Sequence, residues 1–191
     1  MLTQFFLGIN WVDVALSLLL IRVIFIGVKA GFLTEFVKFL GVIVAVFVSF
    51  HYYSYISAHI IKMVYLPVAF VETSVFILLW VLITVLFWFL RFGLGFIFKA
   101  ETTNENIDKY AGGFIAVARA LLLFSLVIFM LLLTRHPYLG RQTLNSVGYK
   151  LAGRTGVHLY HVFCSNIFEK IFEGQHFNQA TVDVINGQAQ K

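Results

Sequence analysis

Four apolar runs, Ile9 to Val28, Phe32 to Phe50, Val68 to Leu90 and Ala111 to Leu133, fill most of the first 133 residues of the chain. Each holds 19 to 23 residues, and a helix rising about 1.5 Å per residue over that length matches a hydrocarbon core of about 30 Å. The expected fold is therefore an all-α membrane protein with four transmembrane helices and, as argued below, a C-terminal amphipathic interfacial helix. With 60% hydrophobic residues, 12% charged residues and a mean hydropathy of +0.90, the chain hides no large water-soluble domain. Its net charge of +5 does not indicate nucleic-acid binding, because the fourteen Lys and Arg lie singly at the ends of apolar runs instead of clustering on one polar face. One cysteine, Cys164, excludes an internal disulfide.

Val28, Lys29 and Ala30 loosely imitate a signal-peptide cleavage site, but no basic residue precedes the first run and Asp13 sits near its start. The next span begins at Phe32, so the first run is read as a retained helix. With only Lys29, Ala30 and Gly31 between them, the first two spans are expected to form a tight antiparallel hairpin. Gly27 and Gly31 bracket that turn, where glycine takes φ > 0 without a Cβ clash; their four-residue spacing also fits a helix-packing pair. A 17-residue loop from His51 to Pro67 and a third connection from Arg91 to Tyr110 complete the bundle.

Lys and Arg near the span ends set the expected orientation. Arg22, Lys29, Lys38, Arg91, Lys99, Lys109 and Arg119 give seven on the side of the first and third loops, against four on the other, Lys62, Arg135, Arg141 and Lys150. The positive-inside rule then places those loops in the cytoplasm and both termini in the periplasm. His51, Tyr52, Tyr53, Tyr55 and Tyr65 in the second loop are read as an interfacial aromatic belt, with a substrate-stacking platform as the rival.

After Leu133 the character changes. Arg135, His136 and Pro137 are read as a helix stop. At 100° per residue, Val157 to Glu173 places Val157, Tyr160, Phe163, Cys164, Ile167, Phe168 and Ile171 on one face. His158, His161, Ser165, Asn166, Glu169 and Glu173 fall on the other. Such a helix, ended by Gly174, is expected to lie on the membrane surface or cap the bundle, with partner binding as the functional rival. Residues 175–191 read as a frayed tail. The organisation expected is thus a four-span domain over 1–133, an amphipathic tail over 134–174 and a flexible end over 175–191.

Ionisable groups inside spans cost about 2.5 to 3.5 kcal/mol each at a helix centre. Arg22, Glu35, Lys38, Arg91 and Arg119 fall toward one set of span ends, where snorkelling and pairing, notably Glu35 with Lys38, account for them. Arg119 shares a helical face with Gly112 and Ala116 and is expected to point inward, with Glu35 or Asp108 as its carboxylate. Gly112, Ala116 and Ala120 form a small-residue stripe suited to close helix approach. With Asp13 and Arg22 added, Glu35, Asp108 and Arg119 make a candidate intramembrane polar cluster. No phosphate loop, nucleophile elbow or HExxH is present, and His158 with His161 lacks a third fixed metal ligand. No catalytic residue, metal or cofactor is expected, and Cys164 reads as a packed thiol.

Three local patterns carry a family resemblance. Asn10, Trp11, Val12, Asp13 opens the first span; Gly27 through Glu35 with Gly41 forms a basic glycine turn ending in a glutamate; Asp108, Lys109, Tyr110, Ala111, Gly112, Gly113 with Arg119 enters the fourth span. In order and spacing they resemble the colicin V production protein (CvpA) family of small bacterial inner-membrane proteins. Ala30 and Lys109 stand where arginines are common, and Ala116 and Ala120 where glycines are usual. The resemblance implies a role in colicin V production or toxin export and in envelope maintenance, and it brings no catalytic residue. A similar four-span module precedes the periplasmic protease domain of some bacterial serine proteases, which agrees with an exterior C-terminus; residues 134–191 carry no such domain, so proteolysis is not carried over. The expected function is that of a non-enzymatic protein of the lipid bilayer that contacts membrane or envelope partners. Homo-oligomerisation stays open, and a small channel or transporter subunit lined by Asp13, Arg22, Glu35 and Arg119 is the alternative.

Overall fold

The first helix, α1 (Trp11–Ala30), starts where the side chain of Asn10 folds back and its Oδ1 accepts the Val12 N–H at 3.0 Å, satisfying one of the donors that a helix start leaves free. It ends at Gly31, whose φ of 77° lies in the left-handed region that favours glycine. Then α2 (Phe32–Ile61), α3 (Val68–Ile97) and α4 (Glu105–Leu133) follow. The protein was analysed as a computed structural model that describes residues 10–97, 105–168, 170 and 177–186, and among these there is helix and no strand. All four long helices are long and apolar enough to cross a membrane, so the all-α membrane fold stands.

Two expectations about the connections change. Residues 51 to 61, read as part of a loop, continue α2, and the connection shrinks to residues 62–67. Hydropathy falls after Phe50, but no Gly or Pro occurs between Gly41 and Pro67, so nothing interrupts the backbone hydrogen bonding. His51, Tyr53 and Ser57 are buried there, whereas Tyr55 and Tyr65 are exposed, so the aromatic belt is split between core and surface.

Nor do the first two helices form a packed hairpin. They meet at the Gly31 turn and diverge, because α4 lies between them and packs along both, with α3 on the remaining side of α2. Burial reflects this order: 56% of the α4 span is buried, against 28% or less in each of the others. Within the core, the ring of Phe129 stacks obliquely on Phe50 at 4.6 Å and Phe76 at 5.0 Å and meets Tyr53 edge-on at 5.4 Å.

At the end of α4, Arg135 takes a φ of 51° and its Nη2 donates to Glu72 Oε2 at 2.7 Å, after which Pro137 opens α5 (Pro137–Asn145). A π-helical turn (Tyr149–Gly153), α6 (Thr155–Phe163), a second π-helical turn (Cys164–Phe168) and α7 (Gln179–Ile185) complete the described chain. Val157, Tyr160 and Cys164 are buried while His158 and His161 are exposed, as the helical periodicity requires. The segment is not one regular α-helix, because it widens to π geometry at Cys164. The side chains of Ile167, Phe168, Glu169, Ile171 and Glu173 lie outside the described residues, as do Ile9, Lys99 and Gly174.

The segment read as a frayed end differs most. Within it α7 forms and buries Thr181, Val184 and Ile185, a stripe with two apolar residues, too short to stand out in the sequence. Asn178 Nδ2 donates to the Phe50 carbonyl at 2.9 Å, and Thr181 Oγ1 donates to the same oxygen at 3.0 Å.

Candidate functional site

Polar side chains gather at the two rims of the bundle. At the Gly31 rim, α1 ends and α2 begins within one residue, so the first amides of α2 have no helical partner. Asp108, on α4, supplies one: its Oδ1 accepts the Phe32 N–H at 2.9 Å. The carboxylate fits because Gly31 has no side chain; a Cβ there would overlap Asp108. Asp108 is thus an N-cap delivered from another helix, and its negative charge also faces the positive end of α2. Replacing it with Ala is expected to lower stability by about 0.5 to 2 kcal/mol, whereas Asn, which still accepts the Phe32 N–H, should avoid most of that loss. Thermal unfolding of the detergent-solubilised protein measures the difference.

One turn further into α2, Glu35 is completely buried. Lys38 Nζ donates to its Oε1, and Arg119 Nη1 reaches Oε2 at 3.0 Å from α4. The Arg119 contact is an ion pair outside good hydrogen-bond alignment, and Arg119 Nε has no hydrogen-bond partner. Two cations share one buried carboxylate. Chemically this is a clamp: it ties α2 to α4 by charge in a medium where each separated charge is costly.

Beside the clamp, α1 crosses α4 at close range. Gly27 faces Ala116 and the Gly112 carbonyl, and a Cβ on Gly112 would stand 2.8 Å from the Gly27 carbonyl oxygen. Ala116 and Ala120 are fully buried. The stripe of small residues therefore serves the α1–α4 crossing, with Gly27 as its partner and Gly31 as the turn.

At the opposite rim, Asp13 accepts the Gly148 N–H at 2.9 Å and the Val147 N–H at 3.1 Å, while Asn10 Nδ2 donates to the Gln142 carbonyl. These residues tie α1 to α5 and to the segment that follows it. Ser125 accepts the Gly156 N–H at 3.0 Å and donates to the Gly153 carbonyl at 3.2 Å, docking α6 on α4. His51 Nδ1 lies 2.9 Å from the Tyr160 hydroxyl, which also accepts the Asn178 N–H at 3.0 Å.

Of the five residues expected to cluster, the structure joins only Glu35 and Arg119, with Asp108 nearer the end of the same rim. Asp13 sits at the far rim, beyond buried Leu16 and Val23, and Arg22 is exposed on the outer side of α1. Sequence reasoning missed Ser125, Asn178 and Thr181. Ser125 has a visible signal, a lone hydroxyl inside an apolar run; the side chains of the other two act through contacts more than 120 residues away. His161 meets Phe177 edge-on at 5.1 Å, and among the described residues no three His, Cys, Asp or Glu side chains gather as a metal site.

The motif residues thus have structural work at both rims: Asn10 and Asp13 at one, Gly31, Glu35, Asp108 and Arg119 at the other. No curated protein and no solved structure matches the chain. The family model described as colicin V production protein matches residues 12–157, which takes in the four long helices, α5 and the first π-helical turn. The chain belongs to the colicin V production protein family.

Proposed function

We propose that this chain is a multi-pass protein of the bacterial inner membrane with both termini in the periplasm. It takes part in colicin V or other toxin production or export and in envelope homeostasis by contacting membrane or envelope proteins, and it catalyses no reaction. The observation that carries this reading is the use of the span carboxylates. Asp13, Glu35, Glu72 and Asp108 each hold one part of the fold to another. Family membership and the excess of Lys and Arg around the first and third loops support the role and the orientation.

A small channel or transporter subunit is the second reading, favoured by the excess positive charge around Glu35 and the partnerless Arg119 Nε. Reconstitution separates the two. Purified protein in liposomes is expected to pass neither protons, potassium nor small sugars, while crosslinking in native membranes captures envelope proteins whose loss reproduces loss of this chain. Flux that disappears in Glu35→Gln or Arg119→Gln would establish the transport reading instead.

A further inference from the structure

The outer side of α1 carries a charge that no described residue answers. This helix buries only Val12, Leu16, Val23 and Gly27, and turns Leu18, Ile21, Arg22, Phe25, Ile26 and Lys29 outward. By helical rise along Trp11–Ala30, Arg22 lies about 12 Å from the Ala30 end and about 16 Å from the Trp11 end, close to the middle of the span and deeper than the end position the sequence suggests. Lys29 stands on the same face two turns nearer the rim, with its Nζ 4.1 Å from the Phe25 ring centroid. It holds the level where a cation meets headgroups; Arg22 is about 10 Å deeper. An arginine at that depth facing lipid is costly, and such residues pair with another polar group.

The described residues of the spans offer no such group. Each of the four spans contains one carboxylate, Asp13, Glu35, Glu72 or Asp108. Asp13 holds the Val147 and Gly148 amides, Glu35 holds Lys38 and Arg119, Glu72 holds Arg135, and Asp108 caps α2. A second copy of the chain would bring the same four, all engaged and none on an outer face at the depth of Arg22. Beside Arg22, the residues Ile21, Ile24, Phe25, Val28 and Lys29 form a shallow apolar groove along the helix.

We infer that this face of α1, centred on Arg22, docks a transmembrane helix of a different protein that carries an Asp or Glu near the middle of the bilayer. The inference rests on the reading that the chain acts by contact, and it names where and with what chemistry. Apolar side chains of the partner fill the groove, and its carboxylate accepts hydrogen bonds from the Arg22 guanidinium, neutralising both charges in the low dielectric.

A photo-crosslinking side chain placed at Leu18 or Ile26 in the full-length chain, in native membranes, tests this, with Leu82 on the exposed side of α3 as the control. The expected adduct at Leu18 or Ile26 joins a protein whose crosslinked peptide lies in a span containing Asp or Glu. Its yield falls about tenfold in Arg22→Leu, as loss of a buried charge partner requires, and persists in Arg22→Lys. Exchanging the charges, Arg22→Glu with the partner's carboxylate changed to Arg, restores it. Because Arg22 is exposed and no ion pair or hydrogen bond joins it to the described residues, Arg22→Leu accumulates and unfolds as the wild type does, which separates lost docking from lost folding. Adducts to phospholipid alone, to a second copy, to a span without a carboxylate, or undiminished in Arg22→Leu overturn the inference. If partners are trapped from other positions only, the docking face is refuted while the contact function stands; if no position traps a partner, both fall.

Discussion

Glu35→Ala is expected to be the most damaging single charge removal in this protein, lowering stability by about 3 to 5 kcal/mol, the range for breaking a buried ion pair from one side. The asymmetry comes from the count of charges. Without Glu35, the Lys38 and Arg119 cations are left together with no anion, and Arg119 is nine-tenths buried. Without Arg119, Glu35 keeps Lys38, a neutral pair with one end partly exposed. Arg119→Leu should therefore cost less than Glu35→Ala. The double variant Glu35→Leu with Arg119→Leu should recover much of the loss, because Lys38 alone can extend to the headgroups. The coupling between the two positions is expected at about 1 to 3 kcal/mol in a double-mutant cycle, read from thermal unfolding in detergent. Additive effects of the two single variants would mean that the 3.0 Å pair does not hold α2 to α4.

Much of this architecture is legible in the residues because lipid imposes simple requirements. A run such as Val68 to Leu90 has one reading at that length and apolarity, and Glu35 three residues before Lys38 places their charges side by side on a helix. Inward Arg119 calls for a carboxylate, and the side of the bilayer on which it lies leaves Glu35 or Asp108. It could not choose between them, because Asp108 is engaged by the Phe32 amide 76 residues away. The end of α2 was misjudged for a related reason. Hydropathy marks where lipid ends, whereas helix ends are set by backbone hydrogen bonds, and one face of the chain past Phe50 is covered by Tyr160 and Asn178. The connection of three residues between the first spans brings their ends together but does not decide which faces pack. That decision belongs to the small residues Gly27, Gly112 and Ala116, whose partnership joins helices distant in the chain.

At that same crossing, Gly112→Leu is expected to separate α1 from α4 and to abolish accumulation of the folded protein. Helices in lipid gain little from the hydrophobic effect against each other, so close van der Waals contact carries their association. Gly112 leaves no room for a substituent: a Cβ would sit 2.8 Å from the Gly27 carbonyl oxygen and 3.0 Å from the Gly31 carbonyl carbon, both backbone atoms that cannot rotate aside. Even Gly112→Ala should cost about 1 to 3 kcal/mol as the backbones move apart. Gly93 supplies the contrast, since a Cβ there meets nothing within 4 Å, and Gly93→Ala should be neutral or stabilise by about 0.4 to 1 kcal/mol. A cysteine pair at Leu16 and Gly148, which already meet, reports whether the far end of α1 stays docked when the crossing is opened. Disulfide formation there at wild-type yield in Gly112→Leu would show that Asn10 and Asp13 alone can hold α1 in place. Loss of the crosslink would make the Gly27–Gly112 approach the contact on which the position of the whole first helix, and with it the outward setting of Arg22, depends.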